Sequence, residues 1–126
     1  IVDRQGDTVR GHRDTATGKR VPMPDWRDRV GGDTGKAEPP GGNTTLSLLV
    51  TNVRLEPLTL RQVAREVHTS MARAIVPFHT LSDGDVLFAA TSNQVAAPDV
   101  NAYQLAALAS ECAWDAVLSS FSGRDG

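Results

Sequence analysis

One cysteine, Cys112, is all the thiol in this 126-residue chain. A lone thiol excludes an internal disulfide framework and every multi-cysteine zinc pattern, and it permits a reducing, cytoplasmic location. The three histidines supply no His–His or His–Cys pair at metal-ligand spacing, so neither a metal nor another cofactor is expected. Charge of one sign is scarce as well. The 13 Lys and Arg stand against 15 Asp and Glu, a formal net charge of −2, which gives no bulk basic field to displace counterions from nucleic acid. No apolar run approaches the roughly 18 residues that cross a bilayer as a helix, so a membrane is not an expected partner either. What is left is a length that suits one small domain.

The chain opens Ile1-Val2-Asp3, without Met and without the basic, apolar and small-residue succession of a secretory signal. An apolar pair entering a polar turn suits the tail of a strand that begins upstream, and a fragment of a longer protein is expected. Between Ile1 and Asn43 only nine residues are apolar. Such a stretch cannot offset its own ordering entropy and needs a partner or stays loose. Gly6, Gly11, Gly18, Pro22, Pro24, Gly31-Gly32, Gly35 and Pro39-Pro40-Gly41-Gly42 interrupt every helix or long strand. After Gly18 the chain reads as an exposed loop.

From Thr44 the character changes. Residues 44–53 are rich in β-branched and aliphatic side chains and predict a largely buried strand. Thr59 as N-cap with Gln62 three residues on forms a capping-box signature, so a helix is expected from about Leu60. Its apolar positions Leu60, Val63, Ala64, Val67, Met71, Ala74 and Ile75 repeat at helical spacing, and Pro77 ends the run. His68 reads as a surface or packing residue of that helix. A second strand is expected over 85–91, after the turn Ser82-Asp83-Gly84. An Ala-rich helix is expected over 100–121, with Cys112 as an inert thiol on its buried surface. The order β-α-β-α makes this an α+β unit behind a loop-rich N-terminal segment.

The junction Gly41-Gly42-Asn43-Thr44-Thr45-Leu46 carries the first candidate chemistry. A bent backbone before Thr44 lets its hydroxyl attack the Asn43 carbonyl, and an N-to-O acyl shift then frees an N-terminal threonine. Its α-amine, of unperturbed pKa roughly 7.7 to 8.0, can act as general base for its own hydroxyl. The same residues also read as a Gly-rich loop entering a Thr-rich strand, the alternative that composition favours. Asn43-Thr44-Thr45 matches the N-glycosylation sequon too. Spacing alone settles none of these readings.

His79-Thr80-Leu81-Ser82-Asp83-Gly84-Asp85 forms the second cluster. A carboxylate there can hold an ammonium group and orient a hydroxyl, as a free N-terminal threonine requires. The alternative is an ordinary Asp-Gly turn. Calcium does not fit, because only two carboxylates cluster and the EF-hand spacing is missing.

Three blocks taken in order, Gly42-Asn43-Thr44-Thr45-Leu46, then Arg73-Ala74-Ile75-Val76-Pro77-Phe78-His79-Thr80, then Asp83-Gly84-Asp85-Val86-Leu87-Phe88-Ala89, resemble the L-aminopeptidase/D-esterase family, which includes the β-peptidyl aminopeptidases. The resemblance implies an autocatalytically processed hydrolase with an αββα sandwich, whose short C-terminal subunit begins with the nucleophile. That nucleophile is Thr44, released by cleavage between Asn43 and Thr44. Residues 1–43, with the turn Asp14-Thr15-Ala16-Thr17-Gly18, then correspond to the tail of the large subunit, and residues 44–126 to the small one. Expected partners are a short peptide or aminoacyl amide or ester as substrate, the remainder of the large subunit, and further copies in a homo-oligomer of processed heterodimers.

One departure concerns the support of the nucleophile. Where better-studied members of the family place a Ser-x-Glu pair, this chain has Asp83-Gly84-Asp85. Asp85 can replace the glutamate; Asp83 cannot simply replace a serine, because a carboxylate accepts where a hydroxyl also donates. Ser82 and His79 are candidate supporting neighbours. Two rival readings stand beside this one: an acyltransferase of the ornithine acetyltransferase type, which shares the threonine nucleophile, and a truncated module without catalysis.

Overall fold

The computed structural model describes residues 1–11, 13–22, 44–81 and 83–121. The segment rich in β-branched residues forms β1 (Leu46–Val53). The chain then runs through helix α1 (Pro57–Ser70) and a 3-10 turn (Met71–Arg73) to β2 (Val86–Val95), and ends in helix α2 (Ala102–Ser119). The two strands pair in parallel, Leu46 opposite Val86 through Thr51 opposite Thr91. A parallel pair needs a crossover, and α1 supplies it. The register slips between Thr51 and Val53, where the Thr91 hydroxyl donates to the Val53 carbonyl at 2.5 Å. The fold is thus α+β, with two parallel strands and two helices.

Both helices cover one face of the sheet. Val63 and Val67 of α1 meet Ala106 and Ala109 of α2, with Leu49 and Leu87 packed beneath them. A second cluster joins Met71, Ala74 and Val117, with Ile1, Phe78, Trp114 and Phe121 around it. No helix among the described residues is long and apolar enough to cross a membrane.

Several expectations change. Strand β1 is not largely buried: its exposure alternates, and Leu46, Leu48 and Val50, with Phe88 of β2, are 62–73% exposed on the uncovered face. Helix α1 starts at Pro57, ahead of Thr59, with Glu56 as its N-cap and no side-chain cap. Proline at the first helical position loses nothing there, since its missing N–H would have had no helical acceptor. The capping box sits instead on α2, where the Asn101 side chain accepts the Gln104 N–H and the Gln104 side chain accepts the Asn101 N–H. Helix α1 also ends at Ser70, before Pro77, and the 3-10 turn carries the apolar series on.

Cys112 is exposed. At the helical step of about 100° per residue, the arc through Ala106, Ala109, Ala113 and Val117 leaves it on the flank. The N-terminal segment is not loose where it is described. Val2 N–H reaches the Ala74 carbonyl at 2.7 Å, and Arg4 pairs with Glu111 and Asp115 of α2. The exposed-loop reading after Gly18 fails at Val21, which is buried. The expected Asp14 turn is present, its carboxylate accepting the Ala16 and Thr17 N–H groups.

Candidate active site

Thr44 stands exposed at the entrance to β1. Thr45, next to it, is already held by the sheet: its carbonyl accepts the Val86 N–H at 3.0 Å. Its own N–H goes to Asp85 Oδ1 at 2.6 Å. The other oxygen, Asp85 Oδ2, accepts the His79 N–H at 2.9 Å. One carboxylate therefore ties together the start of β1, the loop after the 3-10 turn and the approach to β2. Partial desolvation works to raise its pKa. The backbone and side-chain hydrogen bonds from Thr45, the His79 N–H and the His79 ring prevail, and hold Asp85 below the ordinary carboxylate range.

His79 adopts φ +53, a left-handed conformation uncommon for a bulky residue. It is in that conformation that its N–H meets Asp85. Its ring lies edge-on to His68, with centroids 4.8 Å apart, and His68 in turn meets Phe78 at 4.9 Å. Burial first, and then the His79 ring, push the His68 pKa down, while Asp85 pulls it up. His68 is thus a packing residue behind the corner rather than a surface one.

Asp83 is engaged within its own loop. Its Oδ2 accepts the Thr80 N–H at 2.9 Å and the Thr80 hydroxyl at 2.7 Å, while its N–H donates to the Thr80 carbonyl at 3.0 Å. Between the two carboxylates Gly84 lies against the threonine: a Cβ placed on Gly84 would stand 2.9 Å from Thr44 Oγ1. The fold thus brings Thr44, Thr45, His79, Gly84 and Asp85 into one corner at the head of the parallel pair. Asn43 and Ser82 lie outside the described residues. A groove between α1 and α2, bordered by Arg65, Glu66, Tyr103 and Leu108, contains none of these groups. Among the described residues no group of three or more His, Cys, Asp or Glu converges as a metal site would require.

Two participants escape a reading of the sequence alone. The Thr45 amide is anchored by a residue forty positions away, and no periodicity reports such a contact. Gly84 is visible in the sequence as a turn glycine; that it faces Thr44 is decided by the crossover.

The model of peptidase family S58 matches residues 8–123. The chain belongs to that family, the L-aminopeptidase/D-esterase family. Within S58, the chain is 46% identical to a 6-aminohexanoate-oligomer endohydrolase of Paenarthrobacter ureafaciens and 45% identical to one of Kocuria sp. (strain KY2), in each case over 95% of its own length. It spans only 37% of the length of either relative. An uncharacterized aminopeptidase of Mycobacterium bovis is 39% identical over 44% of this chain and 16% of that protein.

Proposed function

We propose that this S58 chain carries the nucleophile of a self-processing hydrolase of amide bonds. The observation that carries the proposal is the seat of Thr44: its side chain lies against Gly84, between two aspartates, one of which pins the next residue. In processing, Thr44 Oγ1 attacks the Asn43 carbonyl carbon and the peptide C–N bond breaks. The Thr44 nitrogen keeps the electron pair and takes up the hydroxyl proton. Water then hydrolyses the ester, leaving a carboxylate on Asn43 and a free hydroxyl and amine on Thr44.

In turnover, the Thr44 amine accepts the Oγ1 proton as the hydroxyl attacks the substrate carbonyl, and passes it to the departing amine. Water releases the acyl group. Asp85, ionised at neutral pH, fixes Thr45 and so the new N-terminus. Together with Asp83 it supplies the negative charge that holds the Thr44 ammonium or a substrate's free amine. Short peptides, aminoacyl amides or esters are the proposed substrates, and the names of the endohydrolase relatives extend the class to 6-aminohexanoate oligomers. The uncovered sheet face with Leu46, Leu48, Val50 and Phe88 fits a second sheet of the large subunit, which would complete an αββα sandwich.

The test is expression with the native upstream sequence, followed by intact mass and N-terminal sequencing. A product beginning Thr44-Thr45-Leu46, absent from Thr44→Ala, supports the proposal and opens a screen of aminoacyl amides and 6-aminohexanoate oligomers. A folded chain that stays whole overturns it.

A further inference from the structure

Gly84 stands between the two aspartates, and its backbone does not explain why a glycine is there. The positive-φ glycines of the described residues are Gly6, Gly11 and Gly18, so Gly84 adopts a conformation that an L-residue tolerates. It is also exposed, so no crowded core forbids a side chain. Among the described residues, what forbids one is a single close neighbour. A Cβ at this position would meet Thr44 Oγ1 at 2.9 Å, Thr44 Cγ2 at 3.6 Å and Thr44 Cβ at 3.8 Å, all atoms of one side chain. A carbon-to-oxygen approach of 2.9 Å lies inside van der Waals contact, so either the threonine rotates or the loop moves. The loop is the stiffer of the two: the flanking residues are tied by the Asp83 contacts to Thr80 and the Asp85 contacts to Thr45 and His79.

We infer that Gly84 is a positioning residue. Its missing side chain is the space in which the Thr44 hydroxyl sits, and the two anchored aspartates hold that space at a fixed distance from the strand entrance. A methyl group there displaces Oγ1 from the position it holds against Gly84 while leaving the fold intact. A displacement near 1 Å costs about a hundredfold in rate. The inference rests on the self-processing reading given above.

The experiment is the cleavage rate of the chain with its upstream sequence, read by intact mass over time, in four forms: parent, Gly84→Ala, Thr44→Ser, and both together. The expected result is a parent that cleaves, and a Gly84→Ala form with unchanged circular dichroism and Tm that cleaves about a hundredfold more slowly. Thr44→Ser should relieve the defect. Without the γ-methyl group, which stiffens χ1 and itself stands 3.6 Å from the added carbon, the serine oxygen can yield by a small turn within its own rotamer well and keep its attacking position. Adding Gly84→Ala therefore slows processing of the Thr44→Ser chain far less than it slows processing of the parent. A loop merely loosened by the substitution would slow both equally, and that outcome overturns the inference, as does a Gly84→Ala chain that cleaves at the parent rate.

If Gly84→Ala does not fold, the comparison moves to a Thr44→Gly background, where the added methyl group meets nothing of the described residues closer than 3.8 Å. Gly84→Ala should then cost no stability, and a loss of fold in that background overturns the inference as well. A parent that never cleaves overturns the hydrolase reading first and the inference with it, an outcome distinct from all the others.

Discussion

Asp85 accepts the backbone N–H of Thr45 at 2.6 Å across forty residues of chain, so the residue that follows the proposed nucleophile is held by the loop on the far side of the crossover. The same carboxylate takes the His79 N–H. Asp85→Ala leaves both amides without their acceptor, which costs about 1–3 kcal/mol. Asp85→Asn keeps one acceptor oxygen and should lose less. Denaturant unfolding of the two variants gives the order, and equal stabilities would contradict it.

The depressed pKa of Asp85 contributes to the acid leg of stability. Because the folded value lies below the ordinary 3.8, its contribution is complete above the unfolded pKa and disappears as pH falls through the folded one. His68 adds a step at higher pH. Its folded pKa is also depressed, so from its ordinary value of 6.5 downward the unfolded chain takes the proton first and stability falls. In a stability-against-pH titration, Asp85→Asn should flatten the acid leg and, by removing the charge that pulls the His68 pKa up, steepen the leg that begins near 6.5, which His68→Gln should flatten.

Trp114 is within cation–π distance of two guanidinium groups, with Arg4 4.8 Å and Arg73 4.7 Å from its ring centre, and its Nε1–H donates to the Val2 carbonyl at 3.3 Å. It also packs against the cluster around Met71, Ala74 and Val117. Truncating fully buried aromatics costs about 3–5 kcal/mol, and a half-buried one correspondingly less, about 2 kcal/mol. Trp114→Ala should therefore lower stability and expose the segment around Arg4 and Arg10 to trypsin. Arg4→Ala, which removes only exposed ion pairs, should open it far less.

The uncovered face of the sheet gives a test of assembly. Leu48→Lys places a charge on a side chain that is 71% exposed, so it should change the stability of the chain by less than about 0.5 kcal/mol. With the upstream sequence restored, the same substitution should block correct folding or processing, since a second sheet cannot bury an unpaired ammonium group. Equal yields of processed protein with Leu and Lys would remove the sandwich proposal.

Cys112 offers the simplest check on how α2 sits. Being exposed, it should react with a thiol reagent in the native protein nearly as fast as in denaturant. Protection of about tenfold or more, equivalent to roughly 1.4 kcal/mol of opening free energy, would place it in an interface or core.

Sequence patterning by itself determined the order of elements. The β-branched, aliphatic run of 44–53 and the helical spacing from Val63 to Ala74 mark a strand and a helix, which is a local property of the chain, but the run did not report that one face of the strand stays uncovered. Its boundaries failed where two local signals competed, as at Pro57 and Thr59, because a helix begins wherever its first amides lose least. The rotation of α2 was also out of reach: an Ala-rich surface is apolar nearly all round, so only packing against Val63 and Val67 chose the arc that left Cys112 outside. The blocks around Thr44 and Asp85 marked candidate residues without saying which touch. That was decided by the parallel pairing of β1 with β2, which sets Thr45 beside Val86 and so brings Asp85 to its amide and Gly84 to the Thr44 hydroxyl. Contacts across forty residues depend on how the crossover helix docks on the sheet, a cooperative result of burial that no local window contains.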